Sequence, residues 1–151
     1  MENFNFIQHA SGAPGLRIFG LGPKCIPQNG IKKLKTLFDE NTSWAKERDK
    51  NDIKKMLSRS DVVVSVWKET RLIGFGRATT DKVYRAVLWD IVVDKKHQKF
   101  GIGKNIVKSL LSNKLILNVE KVYLMTTNFG KFYSEMGFKF EKNQNLMFLD
   151  N

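Results

Sequence analysis

The run Ala86-Val87-Leu88-Trp89-Asp90-Ile91-Val92-Val93, followed by Gln98-Lys99-Phe100-Gly101-Ile102-Gly103 and then Lys104-Asn105-Ile106-Val107-Lys108-Ser109-Leu110-Leu111, decides the fold. The first eight residues read as an apolar strand, and Ile102 to Leu111 read as a helix. A strand that turns through glycines into a helix leaves bare backbone N–H groups at the positive end of the helix dipole. Such an end suits a phosphate-bearing ligand. Gly101 and Gly103 let the chain approach that ligand with no Cβ in the way. Taken alone, the six residues fit equally well a glycine-rich turn that binds nothing.

A second motif lies downstream, in Asn128-Phe129-Gly130-Lys131-Phe132-Tyr133-Ser134-Glu135-Met136-Gly137-Phe138. It follows an apolar strand-like run, Val122-Tyr123-Leu124-Met125. Phe129, Phe132, Tyr133 and Met136 recur at helical spacing, and Gly137 sits where a helix-ending glycine belongs. Aromatic stripes of this kind usually face a core. Tyr133 differs in carrying a hydroxyl, one turn after Asn128.

Outward from these motifs, Val62–Trp67 and Leu72–Thr79 read as strands joined by a hairpin at Lys68-Glu69-Thr70-Arg71. Ile31, Leu34, Leu37 and Phe38 predict one helix, and a second covers Asp52 to Arg59. Arg17-Ile18-Phe19 reads as a short first strand ended by Gly20-Leu21-Gly22-Pro23. Residues 1–16 read as a tail or loosely docked segment, and 17–151 as a single domain. A closing pair of strands is expected near Phe138–Phe140 and Leu146–Leu149. The order is β-α-α-β-β-β-α-β-α-β-β, a mixed α/β sheet.

The chain has 151 residues, enough for one domain with its own core. No apolar run approaches the roughly 18 residues of a membrane span, and Met1-Glu2-Asn3-Phe4 does not open a cleavable signal. A single cysteine, Cys25, excludes an internal disulfide framework and suits a reducing compartment. His9 and His97, with no Cys or acid cluster beside them, predict no metal site; His97 reads as a solvated loop residue, with contact to a phosphate as the alternative. The formal net charge is +11. It suits an anionic ligand, but acids are interleaved with the basic residues and no aromatic-studded basic stripe appears, so nucleic acid is not an expected partner.

Gln98-x-x-Gly101-x-Gly103 after Val92-Val93, with Phe132-Tyr133-x-x-Met136-Gly137-Phe138, resembles the acetyl-CoA-binding core of the GNAT N-acetyltransferase superfamily. Leu88-Trp89-Asp90-Ile91-Val92-Val93-Asp94 and the ending Met147-Phe148 resemble its cyanobacterial and plastid branch, which includes the plant serotonin N-acetyltransferases. The chain departs from that branch in having Lys95 for a proline, Lys99 for a glycine, and Thr126-Thr127-Asn128-Phe129 before the second helix. The resemblance implies a GNAT-like sheet splayed at the cofactor strand, with acetyl-CoA as cosubstrate. Ile91, Val92 and Val93 would pair with the pantetheine arm as an added strand would. N–H groups from Lys99 through Phe100, Gly101, Ile102, Gly103 and Lys104 would hold the pyrophosphate, with Gln98, Lys99 and Lys104 adding side-chain contacts. Asn128 and Lys131 would contact the cofactor. The bacterial cytoplasm or the plastid stroma is the implied location.

The implied reaction is attack by an amine on a thioester. An amine of pKa near 10.4 is neutral only about 0.04% of the time at pH 7, so a base near the thioester helps. Asp90 is the candidate, a lone carboxylate in a strand of Val, Leu, Ile and Trp, where loss of water strengthens a base. Deprotonation relayed by water is its competitor. The N–H of Val92 or Val93 would stabilise the developing oxyanion. Tyr133 would return a proton to the departing thiolate, besides lining the cofactor site. The acceptor is a primary amine, with an arylalkylamine favoured and a protein lysine as alternative. Trp44, Phe38 and Trp89 are candidates for an aromatic acceptor pocket. A catalytically silent acyl-CoA-binding domain is the non-enzyme alternative, and a homodimer is left open.

Overall fold

The computed structural model describes residues 3–19 and 26–151. Cys25 and the expected stop at residues 20–23 lie outside the described residues. Strand β1 covers Asn5–His9, and a single π-type turn covers Gly15–Phe19. Helices α1 (Gly30–Asn41) and α2 (Lys50–Ser58) follow. Strands β2 (Val62–Lys68), β3 (Arg71–Thr80) and β4 (Arg85–Val93) come next. After a short 3₁₀ turn come α3 (Ile102–Leu111), β5 (Lys121–Leu124) and α4 (Gly130–Ser134). The sheet runs β1-β2-β3-β4-β5 in space. The first four strands are antiparallel neighbours, and β5 pairs with β4 in parallel.

Alternation along the strands divides the core in two. On one face Val63, Trp67, Leu72, Phe75 and Val92 pack against Leu34, Leu37 and Phe38 of α1 and Ile53 and Leu57 of α2. On the other, Val62, Val64, Val66, Ile73 and Leu88 receive Ile102, Ile106 and Leu110 of α3. The close approach of α3 depends on Gly76, where a Cβ would meet Ile106 Cγ2 at 2.6 Å. The Asp49 side chain caps α2 by accepting from the N–H groups of Asn51 and Asp52.

Two expectations fail at the ends of the chain. Residues 17–19 belong to a helical turn, and the first strand lies at Asn5–His9, inside the segment read as a tail. Its sequence, Asn-Phe-Ile-Gln-His, does not alternate as a half-buried strand does: among the described residues it borders only β2, and Phe6 is exposed while Ile7 is the apolar side chain that packs on the core. The closing pair is also absent. The residues from Lys139 to Asn151 form no strand, and Leu146, Met147, Phe148 and Leu149 are 73–88% exposed. Polar residues between the two apolar stretches leave no continuous face to bury, and the ring of Phe140 instead packs over Gly130.

Candidate active site

The β4–β5 ladder runs from Arg85 opposite Lys121 to Leu88 opposite Leu124 and stops there, while β4 continues to Val93 beside β3. The sheet therefore splays past Leu88, and among the described residues no strand pairs with Trp89–Val93 on the side away from β3. At that point β4 is bulged. The register with β3 shifts between Phe75 and Arg77, and Asp90 sits at φ +53°. An aspartate at positive φ inside a strand is uncommon and signals a locally imposed geometry. Beyond the bulge, the Asp94 N–H donates to Ile73 O at 2.8 Å, toward β3. Alternation then turns the N–H and C=O of Val93 toward the open side. Gln98 Nε2 donates to that Val93 carbonyl at 3.3 Å. The Ile91 and Val93 side chains pack on the α3 face and Val92 on the opposite one.

The glycine turn forms as expected. Gly101 is the α3 N-cap at φ +76°, with no side chain capping the helix, and a Cβ built on it would meet nothing within 4 Å. Lys99 also has positive φ, +69°. Lys99, Phe100 and Lys104 are exposed, whereas Ile102 is buried beneath the turn. The α3 N-terminus, uncapped by any side chain and beside the open Gly101 turn, lies at the end of the splayed strand, an arrangement that can accept an anionic group. Gly103 joins the two motifs, since a Cβ there would lie 3.4 Å from Phe132 Cζ of α4.

Helix α4 ends through Gly137 at φ +94°, with Phe138 N–H donating to Tyr133 O at 3.1 Å. The Tyr133 ring is held edge-on by Phe132 and Phe138. Burial pushes its phenol above the usual tyrosine range, so it stays protonated at neutral pH. Tyr133 and Trp89 line the same cleft, of about 690 Å³, with Val87, Leu124, Thr126 and Phe138. Asn128 and Lys131 are exposed near the start of α4.

Asp90 is held by two arginines. Arg77 Nε donates to Oδ2 at 2.6 Å, and Arg48 Nη1 lies 3.2 Å from Oδ1. The Asp90 side chain is only 6% exposed. Arg48 lies over the rings of Phe38 and Trp44, and Arg77 over Trp89. Of the three aromatic residues proposed for an acceptor pocket, Phe38 is core, Trp44 is 54% exposed, and Trp89 lines the cleft. Neither arginine stands out in the sequence. The available signal was Asp90 itself, since a carboxylate in an apolar strand needs a counter-charge and Arg77 is the cation in the middle of β3. His97, expected in solvent, is instead 8% exposed, beside Asp94 and edge-on to Phe4. Among the described residues no group of three or more His, Cys, Asp or Glu side chains could hold a metal, and no helix is long and apolar enough to cross a membrane.

A sheet splayed at a bulged strand, with a glycine turn at its end and a tyrosine helix beside the gap, is the arrangement that the family resemblance implied. Residues 31–138 match the acetyltransferase (GNAT) family, and the chain belongs to it. An uncharacterized ycf52-like N-acetyltransferase of Prochlorococcus marinus is 32% identical over 111 residues, 70% of this chain and 61% of that one. GCN5-related N-acetyltransferase 2, chloroplastic, of Arabidopsis thaliana is 34% identical over 73 residues, 48% of this chain and 28% of that one. These relatives agree with the cyanobacterial and plastid branch. The chain spans about three fifths of the length of the ycf52-type relatives it matches. The solved GNAT family protein SP0256 of Streptococcus pneumoniae superposes with a TM-score of 0.73, covering 99% of this chain and 98% of that one at 18% identity.

Proposed function

We propose that this chain is an N-acetyltransferase that moves an acetyl group from acetyl-CoA to a primary amine by direct attack, with an arylalkylamine the favoured acceptor. The observation that carries this reading is the meeting of Trp89 and Tyr133 in one cleft, at the point where β4 has parted from β5. When bound, acetyl-CoA supplies an activated acetyl thioester. The α3 N-terminal N–H groups from Lys99 to Lys104 would hold its diphosphate, helped by the side chains of Lys99 and Lys104. The edge of Ile91–Val93 would hold the arm, with Gln98 fixing the Val93 carbonyl. Asn128 and Lys131 would add contacts from the α4 side.

The outward N–H of Val93, rather than that of Val92, is assigned to the negative charge that develops on the acyl oxygen. The Tyr133 hydroxyl is assigned to protonate the leaving sulfur, since burial keeps it protonated at neutral pH. Both Asp90 oxygens are engaged by guanidiniums, which favours deprotonation of the amine through water, with Asp90 positioning Arg48 and Arg77. A protein lysine is the rival acceptor. The cytoplasm or the plastid stroma is the proposed location. Release of free thiol from acetyl-CoA across a panel of small amines and lysine peptides tests the reading. Amine-dependent thiol release is expected, and binding of acetyl-CoA with no release for any acceptor would leave only a CoA-binding domain.

A further inference from the structure

Around Asp90, two guanidiniums face one carboxylate, so the cluster keeps a surplus positive charge after its own ion pairs are made. Arg77 uses Nε on Asp90, and its Nη1 is 3.5 Å from Ser60 Oγ. Arg48 uses Nη1, on Asp90 and, at 3.7 Å, on Met56 Sδ. Among the described residues no hydrogen bond or ion pair engages Nη2 of either. A guanidinium presents five donors in a fixed fork, so both arginines retain donors that need oxygen acceptors. They are also reachable, with side chains 33% exposed for Arg48 and 15% for Arg77.

The forks are held in place by aromatic rings. The Arg48 guanidinium lies 5.4 Å from the Phe38 centroid and 5.7 Å from that of Trp44, and Arg77 lies 5.6 Å from that of Trp89. Neither arginine lines the cleft itself; Trp89 links them to it, since Arg77 lies over its ring and Trp89 is one of the residues that border the cleft with Tyr133. A bare ammonium entering beside this cluster meets net repulsion, since the one carboxylate is already matched twice. A carboxylate meets the opposite field and finds vacant donors.

We infer that the acceptor amine also carries a carboxylate, bound by Arg48 and Arg77 beside the Trp89 ring. The favoured class is the ring-bearing amine with its carboxylate retained, as in an aromatic amino acid, over its decarboxylated counterpart. This rests on the amine-acetyltransferase reading above and keeps its ring-bearing amine, but replaces the plain arylalkylamine by its α-carboxylate form.

The test compares tryptophan, tryptophanamide and tryptamine as acceptors for the intact chain with acetyl-CoA, each rate corrected for its fraction of free amine. The kcat/KM for tryptophan is expected to exceed that of the other two by about 10- to 100-fold, the range of a hydrogen bond to a charged group, with most of the difference in KM. In Arg48→Gln that preference should collapse toward unity, and Arg48→Lys should retain part of it. The unmodified chain already decides the matter if a variant does not fold. Equal or better use of tryptamine overturns this inference alone and leaves the amine-acetyltransferase reading standing. Failure to acetylate any of the three or any lysine peptide overturns that reading, and this inference with it.

Discussion

In the proposed mechanism Tyr133 gives the proton and Asp90 positions the two arginines. Tyr133→Phe keeps the ring contacts with Phe132 and Phe138 and removes only the hydroxyl. It should lower kcat by about 10²–10⁴-fold, as expected for loss of a general acid, with little change in acetyl-CoA affinity. Steady-state kinetics beside a binding titration checks this, and turnover equal to the parent's would remove Tyr133 from the mechanism. Asp90→Asn leaves two guanidiniums without their counter-charge. Breaking a buried pair costs about 3–5 kcal/mol, and the partial exposure of Arg48 reduces the expectation here to roughly 2–3 kcal/mol. Denaturant unfolding reads it directly, and a change below about 0.5 kcal/mol would mean that the two ion pairs add little to the fold.

At the scale of elements, Gly76 in β3 and His9 in β1 give two further outcomes. Gly76→Ala places a methyl 2.6 Å from Ile106 Cγ2 and should destabilise by about 1–3 kcal/mol through overpacking of α3 on β3. A melting temperature unchanged from the parent would show that α3 can shift freely. His9 secures β1 to β2. Its Nε2 lies 2.7 Å from Ser65 Oγ, which in turn accepts from Trp67 Nε1 at 2.8 Å. Burial lowers its pKa from 6.5 to about 4. The unfolded chain therefore binds the proton first as pH falls, so stability is full above about pH 6.5 and declines toward pH 4. Between pH 7 and 5 the loss should be about 1–2 kcal/mol, and His9→Gln should flatten that slope. An identical slope in the variant would place the titrating group elsewhere.

The same elements show what was legible in the sequence. Strands β2 to β5 and helices α1 to α3 are apolar runs at period two or three and a half, because each is packed on a face that demands it. The glycine turn and the tyrosine helix were legible for the same reason, and so was the splay, through the family resemblance. β1 was hidden because an edge strand buries little. The expected strands at residues 138–140 and 146–149 failed because a strand needs a neighbour, which propensity does not supply. Asp90 called for a counter-charge, but only the fold brings the α1–α2 link with Arg48 and the middle of β3 with Arg77 to one carboxylate.

For the molecule as a whole, the charge of +11 bears on the ligand more than on the fold. Lys99 and Lys104 lie exposed at the glycine turn, within a Debye length of any phosphate held there. Raising salt from 50 to 500 mM should weaken acetyl-CoA binding by roughly 3- to 10-fold, and no salt dependence would mean that these lysines do not face the ligand. The most direct measurement of the central claim is calorimetric titration of acetyl-CoA into the folded chain. Saturable heat at one equivalent per chain is the predicted result, and the absence of any saturable heat would contradict it.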